Sequence, residues 1–211
     1  NGNAAIFRPD VAPFCAVPDD PQPQDWLDLA PLIPGDGAAL FRPSIELAPG
    51  WQRGPAWPCF QMIHPGTPRS FDGTDSLRFE PLGPDDVPQM LALTAATQPG
   101  PFFTQTIRTG RYFGVRSGGR LIAMAGERLR IPGATEISAV CTDPDFRRSG
   151  LGRALVQFLV ALITESGNLP FLHVVQTNTA AVSLYETLGF TVAREIEAVI
   201  IGAPGGPKPR A

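Results

Sequence analysis

The chain has 211 residues, 43% of them hydrophobic and 18% charged, with a formal net charge of −3. That length allows one or two domains of ~100–200 residues each, and the composition excludes a wholly disordered or fibrous chain. The negative balance argues against nucleic acid or an anionic membrane surface as the main partner. The longest nearly apolar run, Ala154 to Ile163 with Gln157 inside it, falls far short of the ~20 residues of a membrane span.

No basic segment followed by an apolar core opens the chain, so no secretory leader is expected. Cys15, Cys59 and Cys141 are odd in number and widely spaced, and His64 and His173 lie far apart. The expectations are free thiols, a reducing cytoplasm and no metal site.

Thirteen of the 24 prolines and all three tryptophans, Trp26, Trp51 and Trp57, fall in the first 72 residues. Prolines break nearly every helical window there. Short strand-like runs remain at Phe14 to Val17, Ala39 to Phe41 and Cys59 to Ile63, with one helical turn at Asp25 to Leu29. Residues 1–72 therefore read as a small, strand-rich N-terminal lobe whose core is the three tryptophans.

Regular patterns begin at Leu77, and residues 73–205 read as one domain. Leu77 to Leu82 is a strand, and Asp85-Asp86 heads an amphipathic helix through Val87, Met90, Leu91 and Leu93. Arg111 to Arg116 and Leu121 to Arg128 are strands joined by a hairpin at Gly118-Gly119. Glu136 to Thr142 is a strand that ends in a turn at Asp143-Pro144. Ser149 to Thr164 is the longest helix, apolar on a wide face. Phe171 to Val175 is a strand, Thr179 to Leu188 a helix stopped by Gly189, and Phe190 to Ile201 a closing strand or hairpin. Residues 206–211 read as a flexible tail.

The chemistry concentrates where the strand ending at Thr142 runs through a tight loop into the longest helix. Gly150 and Gly152 remove side chains, so the backbone can approach a bulky anion closely. Unpaired N–H groups at a helix start, with the positive end of the dipole behind them, bind anions. Arg147, Arg148 and Arg153 add charge beside them. No Gly-Lys-Ser/Thr follows, so this is not a P-loop, and Leu155 stands where a dinucleotide fold would place its third glycine.

A second block, Asn178-Thr-Ala-Ala181-Val-Ser-Leu-Tyr185-Glu-Thr-Leu-Gly189-Phe190, changes the reading. Together the blocks resemble the GNAT superfamily of acyl-CoA-dependent N-acetyltransferases. Arg147-Arg148-Ser149-Gly150-Leu151-Gly152 matches its Q/R-x-x-G-x-G/A loop, and Asn178 to Phe190 matches its N-x-x-A-x-x-L-Y-x-x-L-G-F helix. The likeness covers about residues 77–201. Arg111-Tyr-Phe-Gly-Val115 and the N-terminal lobe look like the glycine N-acyltransferase-like branch.

The resemblance implies an α/β (α+β) fold, a mixed central sheet flanked by helices and splayed where acetyl-CoA enters. It implies direct acetyl transfer from acetyl-CoA to an amine of a small molecule or peptide, with no metal. Val140, Cys141 and Thr142 would pair through their backbone with the pantetheine arm. Amides from Arg148 through Ser149, Gly150, Leu151 and Gly152 to Arg153 would hold the pyrophosphate, with Arg147 and Ala181 in the same binding set and Asn178 on the pantetheine side. Tyr185 would sit by the thioester sulfur. A phenol of pKa about 10 can donate to a leaving thiolate whose thiol has a pKa near ~8.5.

Glu136 and His173 are both candidates for taking the amine proton, each on a strand where some family members carry a base. Their alternative readings are an arginine-paired carboxylate and a satisfied strand histidine, with water relaying the proton. Glu136 is favoured slightly, because strand alternation gives it the direction of Ser138 and Val140. Cys141 lies in the cofactor-pairing strand and is not expected to carry acyl. A catalytically idle acyl-CoA sensor and a protein-interaction scaffold are the competing functions. The acceptor's identity, the acyl length and a homodimer stay open.

Overall fold

A computed structural model describes residues 2–66 and 77–210. Among these, ten strands and four α-helices follow in the order β1 (Ala5–Ile6), β2 (Cys15–Ala16), α1 (Pro23–Leu29), β3 (Ala38–Arg42), β4 (Gln52–Ile63), β5 (Glu80–Leu82), α2 (Val87–Thr97), β6 (Tyr112–Ser117), β7 (Arg120–Ile131), β8 (Ala134–Thr142), α3 (Leu151–Glu165), β9 (Leu169–Val175), α4 (Thr179–Thr187) and β10 (Thr191–Gly202). β1 and β2 form a small antiparallel pair, and the other strands make a mixed sheet in the order β3-β10-β4-β9-β8-β7-β6-β5. The fold class is the expected one, a mixed sheet flanked by helices.

The chain divides into two compact units, and the division is not the linear one expected from composition. Unit 1 combines residues 1–60 with 175–177 and 194–211, and unit 2 holds 61–174 and 178–193. The expected boundary at residue 72 lies outside the described residues.

Unit 2 is built from adjacent hairpins and one crossover. Gly118 and Gly119, both at positive φ, close the two-residue β6–β7 turn. β7 continues antiparallel into β8, and α3 then carries the chain over to β9, which runs parallel to β8. Neighbouring residues of β6 reveal the two faces. Tyr112 joins Met90, Leu93 and Met124 in a core under α2, whereas the Phe113 ring meets Phe158 of α3 at 4.8 Å. Successive strand side chains point to opposite faces, so α2 and α3 cover opposite sides of the sheet. Leu155, Val156, Leu159 and Ile163 of α3 are fully buried, as its apolar face requires.

Unit 1 buries Trp26, Leu29, Ala38, Leu40, Val199 and Ile201 together, with Trp51 packed edge-on against Trp26 at 5.0 Å. Trp57 corrects the all-tryptophan core, for it is 37% exposed. The end of the chain completes the unit because β3 needs a ladder partner, which β10 supplies from Glu197↔Arg42 to Ile201↔Ala38. β4 runs much longer than the expected Cys59 to Ile63, passing through Pro55 and Pro58. A proline loses only its donor, and the Pro58 carbonyl still accepts from the Gln176 N–H at 2.9 Å. In the tail expected to be flexible, Pro209 is buried in a socket of Gly37, Gly54 and Gly202. An added Cβ at those glycines would come within 2.8, 2.9 and 3.0 Å of its ring.

Candidate active site

The site is assembled within unit 2, around β8. Two bulges shape the β7–β8 ladder. Between Met124↔Cys141 and Gly126↔Ser138, two β8 residues, Ala139 and Val140, oppose Ala125 alone. Ala139 sits at φ 53°, a left-handed conformation that costs a non-glycine residue ~1 kcal/mol. Between Glu127↔Ile137 and Arg130↔Thr135 the imbalance reverses, and Arg128 with Leu129 opposes Glu136. The second bulge restores the register and re-aims Arg128 at Glu136. The first puts Val140 out of phase with Glu136 and Ser138, so Glu136 no longer shares a side with Val140, which weakens the ground for favouring it as the base.

On its other edge β8 pairs with β9 only from Ala134↔Leu169 to Glu136↔Phe171. Among the described residues, Ile137 to Thr142 have no β9 partner, so this edge offers backbone N–H and C=O groups for an added strand. Val140, Cys141 and Thr142 lie on it. Burial pushes the Cys141 thiol up to about 11, which leaves it a protonated thiol.

β8 leads into a one-turn helix at Pro144–Phe146, where the Asp143 carboxylate accepts from the Asp145 N–H at 3.0 Å. The chain then turns through Arg148 at φ 62° and Gly150 at φ 84° before α3 begins. An added Cβ at Gly150 would meet nothing within 4 Å, so its glycine is required by the backbone angle, not by crowding. Leu151 is buried and anchors the helix start, while Arg147, Arg148, Ser149, Gly150 and Arg153 are exposed. Gly152 is close to β8, where its Cβ would stand 3.6 Å from Thr142 Oγ1. The first-turn N–H groups of Leu151, Gly152 and Arg153 lack intrahelical acceptors. With Arg147 and Arg148 beside them, they fit a diphosphate.

Asn178 caps α4, its side-chain oxygen accepting from the Ala181 N–H at 3.2 Å. The cap leaves the Asn178 amide donors for another partner. Tyr185 is 9% exposed and packs its ring against Phe190 at 5.8 Å. Among the described residues its hydroxyl has no hydrogen-bond partner. Burial pushes the phenol up to about 12, so it is a neutral donor across the physiological range.

Glu136 is completely buried. Arg128 grips it with a fork, Nε to Oε2 at 2.9 Å and Nη2 to Oε1 at 2.6 Å, and His173 Nδ1 lies 2.8 Å from Oε1. Burial pushes this carboxyl up, but the Arg128 charge and its hydrogen bonds, with those of His173, win and hold it down at about 2. The other His173 nitrogen, Nε2, lies 2.9 Å from Gln61 Nε2. Glu136 and His173, expected as rivals, are thus direct partners. Arg128 and Gln61 are not foreseeable from the sequence. Only the bulge aims Arg128, and Gln61 comes from a strand 112 positions away.

Tyr185, Asn178 and Ala181 share one helix and its cap. Val140 to Arg153 form one continuous strand edge, loop and helix start.

The FR47-like protein family matches residues 112–199. The [ribosomal protein bS18]-alanine N-acetyltransferase of Escherichia coli is 37% identical over 82 residues, 38% of this chain and 55% of that enzyme. The N-alpha-acetyltransferase RimI of Mycobacterium tuberculosis is 37% identical over 82 residues, 37% of this chain and 51% of its own. The chain thus spans about half the length of these curated relatives. A crystal structure from Novosphingobium aromaticivorans, described as an acetyltransferase of the GNAT family, superposes with a TM-score of 0.84 at 39% identity. That likeness covers 96% of this chain and 89% of the other.

Proposed function

Because the chain belongs to the GNAT family of acetyltransferases, we propose that it transfers an acetyl group from acetyl-CoA directly to an amine of a small molecule or peptide. The observation that carries this reading is the open β8 edge at Ile137–Thr142, continuous with an arginine-rich helix start. Acetyl-CoA supplies the activated thioester. Val140, Cys141 and Thr142 bind its pantetheine arm by strand-like pairing, and Arg147 to Arg153 hold its pyrophosphate through N–H groups and guanidinium charge. The Asn178 amide donates on the pantetheine side, with Ala181 beside it. The Tyr185 hydroxyl donates to the sulfur as the thiolate leaves.

The amine proton goes to the Glu136–His173 pair. The Glu136 carboxyl, gripped by Arg128, is held at about 2, too low for a useful base near neutral pH. Glu136 therefore serves as the anchor, and the His173 ring takes the proton. The stretch Arg111 to Val115 and the proline-rich start of the chain support a place in the glycine N-acyltransferase-like branch.

Screening a broad amine panel with acetyl-CoA, by thiol release and mass of the product, tests the proposal. Amine-dependent thiol release with a +acetyl product supports it. CoA binding without turnover on any amine overturns it in favour of an acyl-CoA sensor.

A further inference from the structure

The loop between β8 and α3 is mostly exposed. Pro144, Asp145 and residues 147–150 all face solvent, whereas Asp143 and Phe146 are half-buried. Arg120, at the β6–β7 turn, reaches both of these. Its Nη1 lies 3.1 Å from Asp143 Oδ2, and its guanidinium carbon stands 5.6 Å from the centre of the Phe146 ring. We infer that Arg120 is a positioning residue for this loop: by holding Asp143 and Phe146 it keeps the Leu151–Arg153 N–H groups and the Arg147 and Arg148 charges placed for a diphosphate. The inference rests on the acetyl-CoA reading for its ligand, but not for its geometry.

The Asp143 carboxylate divides its oxygens. Oδ1 accepts from the Asp145 N–H at 3.0 Å and shapes the turn, while Oδ2 faces Arg120. The Asp143 N–H donates to the Ile122 carbonyl at 2.8 Å, which extends the β7–β8 ladder by one bond. Phe146 returns its N–H to the Asp143 carbonyl at 2.9 Å, and its own carbonyl accepts from the Ser149 hydroxyl. Each held residue thus places the next, as far as Ser149, immediately before the left-handed Gly150. Among the described residues, no protein group pairs with the Arg147 or Arg148 guanidinium, which leaves both for a ligand.

Arg120 is itself held on both sides. Gln89 Oε1, on α2, accepts from the Leu121 N–H at 2.8 Å and from Arg116 Nη1 at 3.2 Å. The same Arg116 nitrogen donates to the Gly119 carbonyl at 3.1 Å, and Arg116 Nη2 donates to the Asp86 carboxylate ahead of α2. The backbone on either side of Arg120 is therefore fixed, and its side chain starts from a set place. The Arg120 side chain is 56% exposed, so solvent screens its pairing with Asp143 and the ion pair is a weak one. The cation over the Phe146 face adds a second weak attraction. Two weak contacts bias a loop severalfold, not by orders of magnitude. Their use lies in timing, because a loop ordered beforehand spares binding that ordering cost.

The test uses the full chain, first free of ligands and then with CoA. In ligand-free Arg120→Gln, hydrogen exchange of the Phe146 and Arg147 amides should quicken by about threefold or more. Its thermal midpoint should stay within about 2 °C of the wild type. The Kd for CoA, by calorimetry, should rise about three- to tenfold. Pantetheine, which has the arm but no diphosphate, should bind within about twofold of the wild type in an NMR titration. Arg120→Lys should restore part of the CoA loss, since an ammonium can serve the same carboxylate and ring. Asp143→Asn keeps the cap but loses the charge, so adding it to Arg120→Gln should weaken CoA by less than about twofold more. Unchanged exchange and CoA affinity in Arg120→Gln would overturn the inference. Losses that multiply in the double variant would overturn it too, because Arg120 would then touch CoA directly. Faster exchange in Arg120→Gln, with a wild type that binds no CoA, would reject the acetyl-CoA reading and support the hold on the loop.

Discussion

Glu127 and Glu136 are both completely buried, on neighbouring strands, yet they are held in different company. Glu127 receives the Arg111 backbone N–H at 3.1 Å, the Arg111 Nε at 3.0 Å and the Arg130 guanidinium. All of its donors keep their protons at any ordinary pH. Glu136 has one such partner, Arg128, and one that titrates, His173. Burial raises both carboxyls and the arginines outweigh it, so both end below the usual carboxylate range. Burial and charge pairing alone make Glu127 a fixing point for the loop before β6. Glu136 differs in having a single imidazole among its partners, and the proposed proton handling rests on that difference.

The sharpest way to separate the two nodes is to remove a partner from each. His173→Gln should lower kcat/KM by roughly 10²–10⁴, the range for a lost general base, while an Arg111 variant stays within about threefold in kcat. Steady-state kinetics with one amine decides it. Equal losses at both would erase the distinction.

Acid should next expose the Glu136 node. Its carboxyl is at about 2 in the folded chain against 4.5 as reference, so the unfolded chain binds more protons between those values. Stability on the order of 3 kcal/mol is present above pH 4.5 and is lost as pH falls toward 2. Chemical denaturation at stepped pH should show this fall, and Glu136→Gln should flatten it. Glu127 contributes with the same sign.

Arg111→Met should cost about 2 kcal/mol of unfolding free energy, less than a fully buried pair because the Arg111 side chain is 40% exposed. Thermal and urea unfolding measure it. Gly150→Asp touches neither node. It should weaken CoA at least tenfold, about 1.4 kcal/mol, by adding charge at the helix start and a side chain at φ 84°. Calorimetry on the folded variant that finds unchanged affinity would remove the pyrophosphate assignment.

Much of the proposed binding surface is legible in the residues. Gly150-Leu151-Gly152 after a strand, Asn178 three positions before Ala181, and the apolar stripe of α3 each follow from local rules that the fold obeys. The proposed proton site is legible only as two separate candidates. A bulge changes the phase of a strand without changing its residue pattern, so Ala139 and the Arg128-Leu129 pair gave no signal. Partners from distant strands, such as Gln61 for His173, depend on a register that periodicity does not encode. The end of unit 1 differs from expectation for a related reason: the glycine socket that buries Pro209 is drawn from three separate segments, which local composition does not encode.

The most direct test is the pH dependence of kcat/KM from about pH 6 to 9.5 for the wild type, Glu136→Gln and Glu127→Gln, with the same amine and with folding checked by thermal unfolding. Glu136→Gln should lose activity strongly near neutral pH and recover part of it at high pH, where the amine arrives already neutral. Glu127→Gln should run parallel to the wild type. Two variants that both run parallel to the wild type, or a Glu127→Gln profile with the same pH-dependent loss, would contradict the assignment of proton handling to the Glu136–His173 pair.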